Sequence, residues 1–318
     1  MKLKIATLML LLFVLAGCSA GNSIELVEGS GDSSLVVKAS FYPLAHFTEQ
    51  VIGDLGVVES LTPTGAEPHS FEPSAKAIAS IYDADLFLFN GAMLDPWAED
   101  ISHDLEYEGV TIVKMSSHFN LNATQEEHHD DHDDDHDEEH QHGEFDPHIW
   151  LDPVFVQDQV GIIRDNLVEI DPDNEAAYRS NASAYISELQ ALDFEFRNQL
   201  SSCSQDMIIV GHDAFGYLGS RYDFEILAIA GISPDEEPSL KNMAELIDLA
   251  REHDIYTIFF EELASPKLSE TIANEIGGGT LVLNPLEGLT DDQLSFGETY
   301  LSIMRQNLEN LSLALECQ

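Results

Sequence analysis

Three histidines of the chain lie in short segments whose composition suits a metal site. His69 lies in AEPHSFEP at residues 66–73, His148 in DPHIWLDP at residues 146–153, and His212 in GHDAF at residues 211–215. Neutral imidazole binds zinc, copper and nickel well. Each of the three, taken alone, is more often an ordinary loop histidine. The prediction of a metal site therefore depends on the three coming together in space.

A second group of histidines is concentrated in one low-complexity segment. Residues 126–146 contain twelve acidic residues, six histidines and no basic residue. Such a segment cannot bury a core, which predicts a mobile loop or a disordered insertion. We expect it to capture divalent metal weakly, and the alternative is a solvated acidic linker. Its histidines are His128, His129, His132, His136, His140 and His142.

The first three histidines need a scaffold that brings distant segments together. Apolar, strand-like runs alternate with helical segments in both halves of the chain, which predicts parallel sheets covered by helices on both faces. The strand-like runs are residues 35–40, 57–61, 85–89 and 110–113, then 207–210, 224–227, 256–260 and 281–283. Helices are expected at residues 45–53, 74–82, 240–252, 266–276 and 300–315.

The middle of the chain has a different pattern. Residues 152–202 read as a long helical stretch interrupted near Asp171 and Pro172, and apolar residues recur at helical spacing in 174–200. The sequence therefore predicts two α/β lobes joined by one long helix. In open α/β sheets, ligands gather at the carboxyl ends of the strands. The segments of His69, His148 and His212 fit that position.

The N-terminal residues have the pattern of an export signal. Two lysines precede an apolar run at residues 5–15, which is too short for a stable membrane anchor. The run ends in LAGC, which resembles a lipobox and predicts lipidation of Cys18 after removal of residues 1–17. Residues 18–34 read as a flexible tether. We expect an exported protein anchored by lipid to the outer face of the cytoplasmic membrane. A buried N-terminal helix is the alternative.

Charge and cysteine content narrow the possible partners. The chain has 13 basic and 59 acidic residues, a formal charge of −46. Nucleic acid is excluded as a partner, because a phosphate backbone requires a basic face. Outside the cytoplasm, a disulfide between Cys203 and Cys317 is permitted. Two unpaired buried thiols are the equally weighted alternative.

The three histidine segments resemble the signature segments of the metal-binding solute receptors of ABC importers. These include ZnuA-like zinc receptors and their manganese-binding relatives. The resemblance extends from about residue 35 to 315 and includes the order of the motifs and the His-rich insertion before the second. It implies two Rossmann-like lobes with parallel sheets, joined by a rigid helix, with the metal in the cleft. It also implies His69, His148 and His212 as ligands.

The fourth ligand is less directly implied. Many members of this family have an aspartate near residues 283–287, where this chain has Asn284, and Asn is a poor zinc ligand. Zinc receptors with the sequence NPLE resemble the chain more closely, which favours Glu287. Water or Glu67, beside His69, is the alternative. Imidazole at His212, where manganese receptors usually have a carboxylate, favours zinc.

The expected function is therefore capture of Zn²⁺ outside the cytoplasm and delivery to a membrane permease with its cytoplasmic ATPase. We expect a monomer with no enzymatic activity. Alternatives are a manganese receptor of the same family, a metal-dependent surface adhesin, and an exported zinc hydrolase, for which no HExxH or GxSxG motif is present. The expected organisation is a signal peptide (1–17), tether (18–34), N-terminal lobe (35–172), linking helix (173–202) and C-terminal lobe (203–318).

Overall fold

The computed structural model describes residues 34–123 and 145–318. The predicted signal peptide, Cys18 and nearly all of the tether lie outside the described residues. So do the six histidines of the acidic segment. The structural statements that follow concern the described ranges.

The N-terminal lobe is built around a four-stranded parallel sheet. The strands have the order β2-β1-β3-β4, so β1 lies in the interior of the sheet and the connection from β2 to β3 passes over it. Along the chain the elements are β1 (Leu35–Ala39), α1 (Tyr42–Ile52), β2 (Gly56–Ser60), α2 (Ala75–Ile81), β3 (Leu86–Phe89), α3 (Pro96–Tyr107) and β4 (Thr111–Lys114).

Two helices follow the first lobe. Helix α4 (Pro153–Ile170) begins at Asp152, whose side chain accepts a hydrogen bond from the amide of Val154 at 2.8 Å. After a short turn, α5 (Glu175–Gln199) runs for 25 residues, or roughly 38 Å. It packs on α1 and α4 and then reaches the last helix of the second lobe. Its buried face has helical spacing: Tyr178, Ala182, Tyr185, Leu189, Leu192 and Phe196.

The C-terminal lobe repeats the plan of the first. Its four parallel strands have the order β6-β5-β7-β8. Its elements are β5 (Met207–Val210), α6 (Gly216–Tyr222), β6 (Glu225–Ala228), α7 (Leu240–Glu252), β7 (Thr257–Phe260), α8 (Lys267–Ile276), β8 (Gly279–Val282), α9 (Asp291–Phe296) and α10 (Tyr300–Ala314).

The hydrophobic core is organised by the two faces of each sheet. In β3, Leu86 and Leu88 point into a large cluster that continues through both lobes. Phe87 and Phe89 point into a separate cluster on the opposite face. The alternation follows from the two-residue period of a strand, and burial on both faces explains why β3 is apolar throughout. The second sheet has a corresponding outer cluster around Ile258.

The predicted fold class is confirmed. Two parallel four-stranded sheets are flanked by helices, and the long helix α5 lies between the two sheets along the chain. The exact domain boundaries remain a prediction. Three helices were missed, namely α3, α6 and α9: α3 has only two fully buried residues, α6 is short and contains two glycines, and α9 has six residues with none buried. Among the described residues, no helix has the length and apolar character needed to cross a membrane.

A disulfide closes the C-terminal lobe. The structure joins Cys203, just after α5, to Cys317, next to the last residue. Backbone hydrogen bonds flank it, including one from the amide of Gln318 to the carbonyl of Ser202 at 3.0 Å. The C-terminus is therefore held against the end of the connecting helix.

Candidate metal centre

His69 lies in a single 3-10 turn between β2 and α2. The turn, Pro68–Ser70, begins after Glu67, whose carboxylate accepts a hydrogen bond from the backbone amide of His69 at 3.0 Å. Proline at the first position suits such a turn because its fixed φ is already helical. The backbone amide of Gly65 donates to the carbonyl of Leu289 at 2.8 Å, which ties this loop to the C-terminal lobe.

His148 lies in the segment that leads into α4, and hydrogen bonds hold both its ring and the adjacent backbone. Asp146 Oδ1 accepts from the backbone amide of His148 at 2.9 Å and lies 2.8 Å from its Nδ1. The Asn90 side chain, at the end of β3, donates to the carbonyl of Pro147 at 3.0 Å. The segment is thus held by the carboxyl end of the first sheet.

His212 follows β5 after one glycine. Glu261, directly after β7, accepts from the backbone amide of His212 at 3.1 Å and lies 2.7 Å from its Nδ1. A Cβ on Gly211 would lie 2.5 Å from Glu261 Oε1, so glycine is required for this close approach. Two neighbouring parallel strands therefore deliver the imidazole and the carboxylate that orients it.

Glu287 follows β8 in a tight turn. Leu286 adopts a left-handed backbone with φ of 56°, an uncommon conformation for a leucine. The Asn284 side chain accepts a hydrogen bond from the amide of Leu286 at 2.7 Å, which stabilises the turn. Asn284 thus has a structural role, and its side chain is not among the four groups that meet at the site.

The side chains of His69, His148, His212 and Glu287 converge between the lobes. One donor atom from each lies within 4.8 Å of all the others. His148 Nε2 is 3.3 Å from that of His69 and 3.4 Å from that of His212. Glu287 Oε1 is 3.3 Å from the Nε2 of His69, 3.4 Å from that of His148 and 3.2 Å from that of His212.

Five of the six spacings match the edges of a tetrahedral zinc site, and the sixth, between His69 and His212, is within 4.8 Å. Zinc bonded to nitrogen and oxygen at about 2.0–2.1 Å has donor atoms roughly 3.3–3.4 Å apart. The His148, His212 and Glu287 side chains are fully buried, and that of His69 is 5% exposed. Three imidazole Nε2 atoms surround Oε1 of Glu287, but its carboxylate has no other well-formed hydrogen bond. A buried carboxylate in that position is costly unless a cation balances it.

Neighbouring charges determine how the four groups ionise. Burial acts to lower the pKa of His148, but the carboxylates of Asp146 and Glu287 outweigh it and raise that pKa. In His212, burial is likewise outweighed by Glu261 and Glu287. Burial lowers the pKa of His69 despite Glu287. Although burial opposes ionisation of Glu287, the three imidazoles hold its pKa well below the usual range.

Glu67, the alternative fourth ligand, is placed beside the cluster. It is absent from the set of converging donor atoms. One of its oxygens holds the His69 amide, and the other is buried without a partner. Burial, and then the negative charge of Glu287, raise the pKa of Glu67 to about 9. Its place outside the set of converging donor atoms, with one oxygen on a backbone amide, argues against Glu67 as the fourth ligand.

The structure thus brings together the four residues that the resemblance implied. Sequence reasoning did not identify the roles of Asp146 and Glu261, which orient two of the imidazoles. The sequence does contain a signal for Glu261. It follows the carboxyl end of strand β7, just as His212 follows that of β5, and ligands gather at such ends.

Two α/β lobes with a closed cluster of three histidines and a glutamate between them define a bilobed protein of the metal-receptor class. The model of one protein family, described as "Zinc-uptake complex component A periplasmic", matches residues 37–314. The high-affinity zinc uptake system protein ZnuA of Bacillus subtilis is 42% identical over 312 residues, 96% of this chain and 97% of the relative. The chain therefore belongs to the ZnuA family of zinc-uptake components.

Solved structures agree with this assignment. The Zn(II)-bound ZnuA-like domain of AdcA from Streptococcus pneumoniae has a TM-score of 0.75 and 38% identity, and the match covers 89% of this chain and 99% of that domain. The laminin-binding protein Lmb of Streptococcus agalactiae has a TM-score of 0.77 and 32% identity over 88% and 99%. The chain spans 56% of the length of the full AdcA lipoprotein of S. pneumoniae, at 40% identity.

Proposed function

We propose that the chain is an extracytoplasmic zinc receptor that delivers Zn²⁺ to an ABC importer. His69, His148, His212 and Glu287 are the proposed ligands. The observation that carries the proposal is the near-tetrahedral spacing of their four donor atoms, one of which belongs to a fully buried carboxylate. Relatives with zinc uptake or zinc binding in their names support the same cargo.

Zinc is favoured over manganese by the donor set. Three imidazole nitrogens and one carboxylate oxygen suit four-coordinate zinc, whereas manganese prefers oxygen ligands in an octahedral arrangement. The carboxylates of Asp146 and Glu261 lie against Nδ1 of His148 and His212, respectively, which also makes these imidazoles better metal ligands. Manganese remains the alternative cargo, and competition between the two ions at the purified protein distinguishes them.

Transport, rather than catalysis, suits the closed site. A catalytic zinc keeps an open position for water or substrate, and four protein ligands leave none. Three neutral imidazoles and one carboxylate give the zinc complex a net charge of about +1, which allows burial with moderate cost. An exported hydrolase would require loss of one of these ligands on substrate binding.

The remaining parts of the proposal depend on the sequence. The lipobox at Cys18 supports an anchor in the membrane, and one relative is named a zinc-binding lipoprotein. The partners would be a permease and its ATPase, with the receptor acting as a monomer. The His-rich segment would collect zinc for the site. The described residues on either side of it, Ala123 and Phe145, form an antiparallel bridge, and Phe145 directly precedes Asp146.

Zinc titration of the full chain and two variants tests the ligand set. The wild type should bind one zinc tightly, and either His212→Ala or Glu287→Ala should weaken binding about 100-fold or more, since four ligands share the binding free energy. His103→Ala, an exposed histidine of α3, is the matched control. Tight binding that survives both variants would exclude this site as the zinc site.

Adhesion is a second candidate, favoured by the likeness to Lmb, whose structure is described as a bifunctional protein with adhesin and metal transporting activity. Binding of the purified chain to immobilised laminin tests it directly. Growth of a deletion strain under zinc limitation tests transport. A strain that grows normally without zinc supply while losing laminin attachment would favour adhesion over uptake.

A further inference from the structure

Trp150 lies between the two turns that carry His148 and Glu287. Its side chain is completely buried, and its ring centroid is 5.1 Å from that of His148. Its indole N–H donates to the carbonyl of Pro285 at 2.7 Å. Pro285 is two residues before Glu287, just as Trp150 is two residues after His148.

The main chain of Trp150 is also held by the C-terminal lobe. The hydroxyl of Tyr300, at the start of α10, donates to the Trp150 carbonyl at 2.8 Å, and both residues are fully buried. Phe41, at the end of the first sheet, packs edge-on against the indole at 4.8 Å. Trp150 is therefore held from both lobes at once.

We propose that Trp150 is a positioning residue whose indole hydrogen bond keeps His148 and Glu287 at ligand spacing across the lobes. This inference rests on the proposed zinc-receptor function. The two turns come from segments 135 residues apart in the chain, and the Trp150–Pro285 bond joins them directly. Nε2 of His148 and Oε1 of Glu287 are 3.4 Å apart, and a small displacement of either turn would spoil the tetrahedron.

The hydrogen bond should affect the lifetime of bound zinc more than its capture. To release the ion, His148 and Glu287 must separate, and separation requires the indole N–H to leave Pro285. Without that N–H, the buried Pro285 carbonyl loses its donor and the turn that carries Glu287 is free to shift. Loss of one such buried bond corresponds to about a tenfold faster release of zinc.

Trp150→Phe is the direct test, because phenylalanine keeps an aromatic ring against His148 and removes the donor, together with the volume of the second ring. The chain has two tryptophans, so Trp97→Phe in α3 is a matched control. Zinc dissociation is followed by transfer to a chelator, and Co²⁺ absorption reports the geometry of the four ligands. We expect about tenfold faster zinc release and an altered Co²⁺ spectrum in Trp150→Phe, with wild-type behaviour in Trp97→Phe.

Two further measurements keep the inference testable. The unfolding temperature without added metal separates stability from positioning: a merely structural role would lower it while the Co²⁺ spectrum stayed as in the wild type, which would overturn the inference. If Trp150→Phe does not fold, Tyr300→Phe removes the hydrogen bond to the Trp150 carbonyl and should also speed zinc release, by about threefold. Unchanged release there would likewise overturn it. A wild type that binds no zinc would instead refute the proposed function.

Discussion

The buried histidines of this protein occur in two contrasting settings. At the metal centre, His148 and His212 each have a carboxylate against Nδ1, supplied by Asp146 and Glu261. His46, on α1, is buried to 7% exposure among aromatic rings, with Tyr42 stacked at 5.5 Å and Tyr185 edge-on at 5.9 Å. The three imidazoles are similarly removed from water but differ completely in their charged neighbours.

The contrast shows what a carboxylate adds to a buried imidazole. Burial alone lowers the pKa of His46 to about 4, so that its ring is neutral in the folded protein. The same burial is outweighed at His148 and His212, whose pKa values are raised. A His backed by a carboxylate keeps a high affinity for a cation, whether a proton or a metal ion. His46 behaves as an aromatic core residue.

The largest expected effect concerns His46 and the stability of the fold. Its pKa is near 6.5 in the unfolded chain and about 4 in the folded one, so the unfolded state takes up a proton first as pH falls. The stability that a neutral His46 provides is present above pH 6.5 and is lost between pH 6.5 and 4. This loss is about 3 kcal/mol, at 1.36 kcal/mol per pH unit.

Chemical denaturation of His46→Phe and the wild type across this range measures the effect. Relative to the variant, the wild type should lose about 3 kcal/mol between pH 6.5 and 4. His103→Phe, at an exposed position of α3, should leave the pH profile unchanged. Parallel profiles for the wild type and His46→Phe would show that burial does not keep His46 neutral, and would remove the contrast between the two settings.

The next effect concerns the carboxylates at the metal centre. Glu261→Gln keeps the size of the side chain and removes the charge that orients and polarises His212. Zinc affinity should fall about 10–100-fold, the usual result when such a partner is changed. Asp146→Asn should act similarly on His148. Competition titration with a chromophoric chelator measures both, and Glu245→Gln on the exposed face of α7 is the control. Wild-type affinity in both variants would mean that the carboxylates serve only folding.

Much of this arrangement could be predicted from the sequence, and the limits have physical causes. The three histidines stand in compact local motifs at strand ends, and the strand–helix alternation indicated where those ends meet. Glu261 contacts His212 from 49 residues away, and Trp150 reaches Pro285 from 135 residues away. Neither contact leaves a local pattern, because each arises only once the strands and turns are assembled.

The helices illustrate the same limit. In α6, the sequence GYLGSRY has two glycines, which weaken helix formation, yet the helix forms because Tyr217, Leu218 and Tyr222 are buried against the rest of the lobe. Tertiary packing overrides local propensity there. Helix α5, by contrast, has a buried stripe over its whole length, and the predicted linking helix, residues 173–202, exceeds it by only two residues at the start and three at the end.

The smallest expected effect concerns Glu67, which is close to the metal centre but faces the main chain. Its carboxylate accepts from the amide of His69 rather than from an imidazole nitrogen. The side-chain carbonyl of glutamine can accept the same hydrogen bond. Glu67→Gln should therefore change zinc affinity by less than about threefold, well below the effect of Glu261→Gln.

The Glu67 variant also decides between the two candidates for the fourth ligand. If Glu67 were bound to zinc in place of Glu287, an amide at position 67 would remove an anionic ligand and affinity should fall about 100-fold. Glu287→Gln would then have the small effect. The same chelator titration applied to Glu67→Gln and Glu287→Gln shows which variant loses more zinc affinity, and the ligand is the residue whose variant loses more. Because Glu287 contacts all three Nε2 atoms and Glu67 contacts a backbone amide, we expect Glu287→Gln to be the damaging one.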